Sequence, residues 1–264
     1  TMNDTMRSGN PVLAQGLHSA PALGQWSGAA TMSVSGTALK TLILLGLVLL
    51  TGGYSFFQTL DALRGSGGDI GETLQRVSML AMVGMVGGLV TCFAMYFVPS
   101  WSPVAAPVYA LCKGLALGLI SGLAEARFQG IVAQAVLLSL AVLGLMLFLY
   151  TNGTLRATPA LTKGIMVATL AVFAVYMATM VMGLFGMRIP YIHESGPIGI
   201  GFSLFVVGLA AFNFILDFDS IEQGAQAGAP KYMEWYCGFG LLVTLLWLYV
   251  EILRLLMKIN SSRD

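Results

Sequence analysis

Asp217, Asp219 and Glu222 fall close together in FILDFDSIEQ, a stretch otherwise apolar enough to stay at membrane depth. Crowded carboxylates repel one another, and they respond by holding a proton more firmly or by taking up a cation. Asp219 and Glu222 are three residues apart, so they share a helical face if a helix runs that far. The other reading ends the helix near Asp217 and leaves the two later acids in a solvated loop. Glu251, Arg254 and Lys258 follow in the last apolar stretch, where Glu251 and Arg254 can form a local ion pair and Lys258 can extend outward to water. Lys113, between Cys112 and Gly114, interrupts a third apolar stretch near its middle. A charged side chain at the centre of a bilayer costs roughly 2.5–3.5 kcal/mol on insertion scales, so each needs a partner or a function. Asp217, Asp219 and Glu251 are the acids expected to compensate Lys113, and the spacing does not choose among them. A stretch displaced by several residues would instead put Lys113 nearer an interface.

Other chemistries thin out quickly. His18 and His193 are the two histidines, one near the N-terminus and one between apolar stretches, so no stretch carries a histidine base beside a serine. Lys258 stands at the end of the last stretch, not at mid-membrane where a retinal-binding lysine would be. Neither a phosphate-binding G-x-x-x-x-G-K-[ST] loop nor H-E-x-x-H occurs. Cys92, Cys112 and Cys237 lack the spacing of a zinc site or a disulfide framework. These features predict a protein that is not an enzyme and carries no cofactor.

The elements that must position the charges are membrane helices. Of the 264 residues, 57% are hydrophobic and 9% charged, and the mean hydropathy is +0.82. A soluble domain carries about 25% charged residues, so this chain cannot cover a water-facing surface. Its apolar share matches about seven membrane helices of about 20 residues each. With 13 Lys and Arg against 12 Asp and Glu, no basic field exists to hold nucleic acid. Apolar spans are expected near Leu39–Leu60, Val77–Val98, Val104–Leu123, Gly130–Tyr150, Gly164–Phe185, Ile198–Asp217 and Tyr236–Leu256. The domain reading is a disordered, flexible N-terminal tail over 1–37, an all-α domain of seven transmembrane helices over 38–258, and a short C-terminal tail over 259–264. The tail lacks the apolar core of a signal peptide. An odd number of spans puts the termini on opposite sides, and the Lys and Arg tally leans weakly toward a cytoplasmic C-terminus.

Two faces stand out at three- and four-residue steps. The sixth span aligns Gly199, Ser203, Val206, Ala210, Asn213, Asp217 and Ser220; the seventh aligns Cys237, Gly240, Thr244, Trp247, Glu251, Arg254 and Lys258. If the two faces meet, they line one hydrated path. Gly114, Gly118 and Gly122 in the third span, and Gly84 and Gly88 in the second, let backbones approach closely within lipid. Packing inside one chain is the expected use, with a dimer interface as the alternative.

NFILDFDSIEQGAQAGAPKYMEWY, followed by GLLVTLLWLYVEILRLLMK, resembles the Bax inhibitor/YccA family of seven-span membrane proteins, in particular its longer bacterial branch. MRSGNPVL near the start and WSPVAAPVYAL before the third span are also similar to that branch. The resemblance implies six helices around a central seventh, in the bacterial inner membrane. In characterised bacterial relatives, a pair of aspartates on the last two helices forms a pH-sensitive gate for a calcium leak, and an arginine on the second helix latches the sixth-helix aspartate. The aromatic-Asp-Ser context places the first gate residue at Asp219, which would then touch calcium, within the cluster Asp217, Asp219 and Glu222. Arg254 in ILRLL resembles an arginine toward the end of the family's last helix. Counting back from it, Thr244 occupies the place of the second gate aspartate. No arginine lies within the second span, and Arg76 at its edge is the nearest candidate for the latch. Glu251, about two turns from Thr244, keeps other pairings open.

The resemblance implies a calcium or other cation leak gated by protonation of the carboxylate cluster. A different expectation follows from relatives that associate with membrane-anchored AAA proteases of the FtsH type and act as slow substrates that modulate them; the tail would be the handle. A solute carrier is a third reading, for which no inverted repeat between the halves is visible. The partners expected are the lipid bilayer, a cation and such a protease.

Overall fold

The computed structural model describes residues 31–65, 70–185 and 196–262. Among these the chain is all-α: α1 (Val34–Arg64), α2 (Ile70–Phe97), α3 (Ser102–Arg127) after a 3-10 turn (Pro99–Trp101), α4 (Ile131–Thr151), α5 (Pro159–Leu184), α6 (Pro197–Gln226) and α7 (Met233–Ser261). Seven helices are long and apolar enough to cross a membrane. Residues 1–30 of the expected tail, and both histidines, lie outside the described residues, as do Arg263 and Asp264 of the expected C-terminal tail.

Local chemistry sets the helix ends. Ser33 caps α1 by accepting the Gly36 N–H at 3.0 Å, so this helix begins ahead of the expected boundary at residue 38. Thr158 caps α5 ahead of Pro159, whose missing N–H costs nothing in a first turn. The Glu125 carboxylate, at the end of α3, accepts the N–H groups of Gly130 (2.6 Å) and Val132 (3.1 Å) and so supplies the first turn of α4 with acceptors. The helix α6 continues nine residues beyond the expected Asp217 and ends where Gly228 takes a left-handed φ of 66°. Asp219 and Glu222 are therefore helical, and the loop reading of that segment is set aside.

One compact unit comprises, among the described residues, 31–65, 70–132 and 221–242. In it α3 packs between α1 and α2 through glycine. A Cβ on Gly118 would run into the Gly52 carbonyl oxygen and stand 2.6 Å from Ser55 Cβ; one on Gly122 would stand 2.7 Å from Thr59 Cβ. On the other side, a Cβ on Gly84 would meet the Cys112 carbonyl, and one on Gly88 would come within 3.2 Å of Lys113 Cε. Both glycine series thus pack helices within the chain, where close van der Waals contact is the main attraction available in lipid. Thr51 adds an interhelical hydrogen bond, donating to the Leu111 carbonyl at 3.0 Å.

The same unit ties the start of α1 to the α6–α7 connection. Met32 N–H donates to the Ala229 carbonyl at 2.8 Å. The buried Glu234 carboxylate accepts from Ser33 N–H and Oγ, both at 3.0 Å, and from Lys231 Nζ at 2.6 Å. Ser102 Oγ donates to the Tyr232 carbonyl at 2.9 Å, and burial raises the pKa of the Tyr232 phenol.

The second unit comprises 133–185, 196–220 and 243–262 among the described residues. Its apolar core is Ile165 and Val172 of α5 with Val206, Leu209 and Leu216 of α6, and Phe202 and Trp247 pack against it. No residue of α7 is exposed, and 236–242 are buried without a break. Burial on successive residues over about two turns leaves none of the helix faces of that stretch exposed. The remaining helices expose large apolar side chains along their length, among them Leu42, Phe93, Leu137, Phe148 and Phe173. In water such a surface would aggregate; a bilayer solvates it.

Substituting Gly118 by Ala should destabilise the protein by about 1–3 kcal/mol through overpacking against α1, and lower the apparent melting temperature in detergent by several degrees. Gly164→Ala, where an added Cβ meets nothing within 4 Å, should leave it unchanged or slightly raised.

Candidate functional site

The polar face of α6 is buried along its whole length: Gly199, Ser203, Val206, Ala210, Asn213, Asp217 and Ser220 are all inaccessible. Within the second unit it meets the polar face of α7. Thr244 Oγ1 donates to Asp217 Oδ2 at 2.5 Å, with Asp217 0% and Thr244 4% exposed. That distance is at the short end of the range for an O–H···O hydrogen bond. Farther along the same antiparallel seam, Lys258 Nζ donates to Ser203 Oγ at 2.9 Å and to the Gly199 carbonyl at 3.0 Å. Lys258 is 7% exposed, so the expected outward extension to water is replaced by an inward turn onto α6.

Glu251 lies between these contacts on α7 and is 1% exposed. Arg254 Nη1 donates to both of its oxygens, at 2.9 and 3.1 Å, and Tyr176 Oη donates to Oε1 at 2.9 Å. Arg254 also donates to Tyr176 Oη at 2.9 Å, and its guanidinium lies 5.2 Å from the centre of that ring. The buried carboxylate is therefore compensated by charge and by hydrogen bonds, which is what makes its burial tolerable. The local Glu251–Arg254 pair is present as expected, and Tyr176 is an addition the sequence reading missed. So is Thr169, whose Oγ1 accepts from Asn213 Nδ2 at 3.1 Å while the same amide donates to the Leu209 carbonyl at 2.9 Å. The available signal was their spacing: Thr169 and Tyr176 are seven residues apart, two turns, on one face of a largely apolar helix.

The other expected site residues are placed differently. Asp219 is half-buried on α6. Glu222 is exposed and accepts from Gln226 Nε2 at 3.2 Å. Lys113 and Arg76 belong to the first unit, whereas Asp217, Asp219 and Glu251 belong to the second. In its own unit Lys113 lays its stem over Gly88 and holds its ammonium 5.6 Å from the Tyr109 ring centre, so an aromatic face supplies part of the compensation expected from an acid. Arg76 is exposed and pairs with Glu72 at 3.3 Å; such surface pairs contribute little. No group of three or more His, Cys, Asp or Glu suited to holding a metal ion occurs among the described residues. The arrangement is thus a buried polar seam with one carboxylate facing a hydroxyl, one compensated ion pair and one ammonium.

Thr244→Val removes a buried donor from the Asp217 carboxylate and should cost about 1–3 kcal/mol. Thr244→Ser keeps the hydroxyl and should retain most of the wild-type stability. Thermal unfolding of the two variants in detergent, side by side, measures the difference.

A family model described as Bax inhibitor 1 like matches residues 10–261, which takes in all seven helices and the whole of the α6–α7 seam. Searches of curated proteins and of solved structures return no match to this chain. By the extent of the family match, and with seven apolar helices in place, the chain is an integral membrane protein that belongs to the Bax inhibitor 1 like family.

Proposed function

We propose that the protein is a pH-sensitive leak for calcium or other cations, with the path along the α6–α7 seam and the Asp217–Thr244 contact as its gate. The observation that carries this reading is a fully buried carboxylate hydrogen-bonded across the seam to Thr244. Thr244 stands where the resemblance places the second gate aspartate, so this gate has one carboxylate and one hydroxyl, and Asp217 rather than Asp219 is the α6 acid that meets Thr244. With Asp217 ionised, the hydroxyl donates to it and the helices are held together. With Asp217 protonated, the charge is lost, the interhelical bond weakens, and the balance of closed and open arrangements shifts. Asp219, half-buried on the same helix, is a cation contact at the approach to the gate. Oxygen ligands of this kind suit a hard cation in transit, which needs no permanent cage. The bacterial inner membrane is the location that accompanies this reading.

Calcium flux into proteoliposomes, measured between about pH 6 and 8, tests the proposal. Wild type should change its flux across that range. Asp217→Asn should flatten the response, and Asp219→Asn should lower the flux while keeping its pH dependence. Equal, pH-independent fluxes in all three proteins would overturn the reading.

A further inference from the structure

Lys258 turns inward at the opposite end of the seam from the proposed gate. Its ammonium is seated between the Gly199 carbonyl at 3.0 Å and Ser203 Oγ at 2.9 Å, both on α6. A carbonyl and a hydroxyl oxygen are the ligand types that coordinate hard cations, and a lysine ammonium is a compact point charge that can stand in their place. The last turn of α7, where Lys258 sits, favours a positive charge through the helix dipole. Arg254 one turn earlier is already engaged with Glu251 and Tyr176, so Lys258 is the cation that reaches onto α6.

Ser203 and Asp217 are both on the buried face of α6, fourteen residues apart, which is about 21 Å along a helix. That is most of the roughly 30 Å hydrocarbon core of a bilayer. The seam therefore has an acid toward one end and an ammonium toward the other. A free cation moving along it from Asp217 would meet a like charge already occupying the oxygens of Ser203 and Gly199.

We propose that Lys258 is a tethered cation that fills an oxygen-lined cation site at the end of the α6–α7 seam and slows the passage of free cations. The inference rests on the leak reading above and adds a second point of control to it. The site it fills offers neutral oxygens, so the ion that replaces the ammonium is a monovalent cation such as potassium as readily as calcium.

The experiment compares potassium and calcium flux at neutral pH in proteoliposomes of the full chain carrying Lys258→Met or Ser203→Ala. Lys258→Met removes the charge; Ser203→Ala keeps the charge and deletes one of its acceptors. Both should raise the flux over wild type, Ser203→Ala by about tenfold if one charge-assisted hydrogen bond holds the ammonium in place. Should Lys258→Met fail to purify as a monodisperse protein, Ser203→Ala carries the test alone. A wild type that leaks with the pH response abolished by Asp217→Asn, joined to an unchanged flux in both seam variants, overturns the tethered cation and leaves the leak standing. No flux of either ion in any of these proteins overturns both.

Discussion

Lipid offers no hydrogen bonds, and the placing of polar groups in this structure follows from that. Each N–H, hydroxyl or charge at membrane depth has to be satisfied by the protein itself. The seam between α6 and α7 is the clearest result. Asp217, Asn213, Ser203, Thr244, Glu251 and Lys258 all face inward, and their partners are other side chains or helix carbonyls. Satisfying them requires the two helices to keep one antiparallel register, because the Thr244–Asp217 and Lys258–Ser203 contacts are both met only there. A slip of one turn would break both together.

The rest of the second unit supports that register. Ile165, Val172, Val206, Leu209 and Leu216 form an apolar core in which α5 grips α6, while Thr169 and Tyr176 on the same helix reach the polar seam. Tyr176 is shared between Glu251 and Arg254, so the ion pair is part of a three-membered network whose members orient one another. In the first unit the corresponding task falls to glycine. Removing side chains at Gly84, Gly114, Gly118 and Gly122 allows α1 and α2 to approach α3 closely enough for backbone and small polar groups to touch.

Much of the site was legible before any coordinates, for a physical reason. A face at helical spacing is a property of one segment, so the stripe from Gly199 to Ser220 and the stripe from Cys237 to Lys258 are readable from sequence alone, as is the Glu251–Arg254 pair one turn apart. The resemblance also drew attention to Thr244, whose hydroxyl donates to Asp217. The length of α6 was less legible, because the acids of DFDSIE resemble both a helix end and a buried polar turn. The left-handed Gly228 and the chain reversal after it, where Met32 donates to the Ala229 carbonyl and the Glu234 carboxylate takes the Ser33 N–H and hydroxyl, settle the matter. Lys258 was left open for a related reason: extension to water and an inward turn onto the sixth span use the same stem, and only the neighbouring oxygen atoms distinguish them.

The sequence by itself determined that the chain is a seven-helix membrane protein, which faces of its last two helices are polar, and where helices can approach closely, because hydropathy, periodicity and residue size act within single segments. Tertiary structure alone decided that Asp217, not Asp219, meets Thr244, that Tyr176 and Thr169 belong to the seam, that Lys258 rests on Ser203 and Gly199, and that Lys113 lies over Tyr109. These are pairings between residues from tens of positions apart down to four within one helix. Each depends on the register or the rotamer in which already formed helices pack, which no single segment specifies.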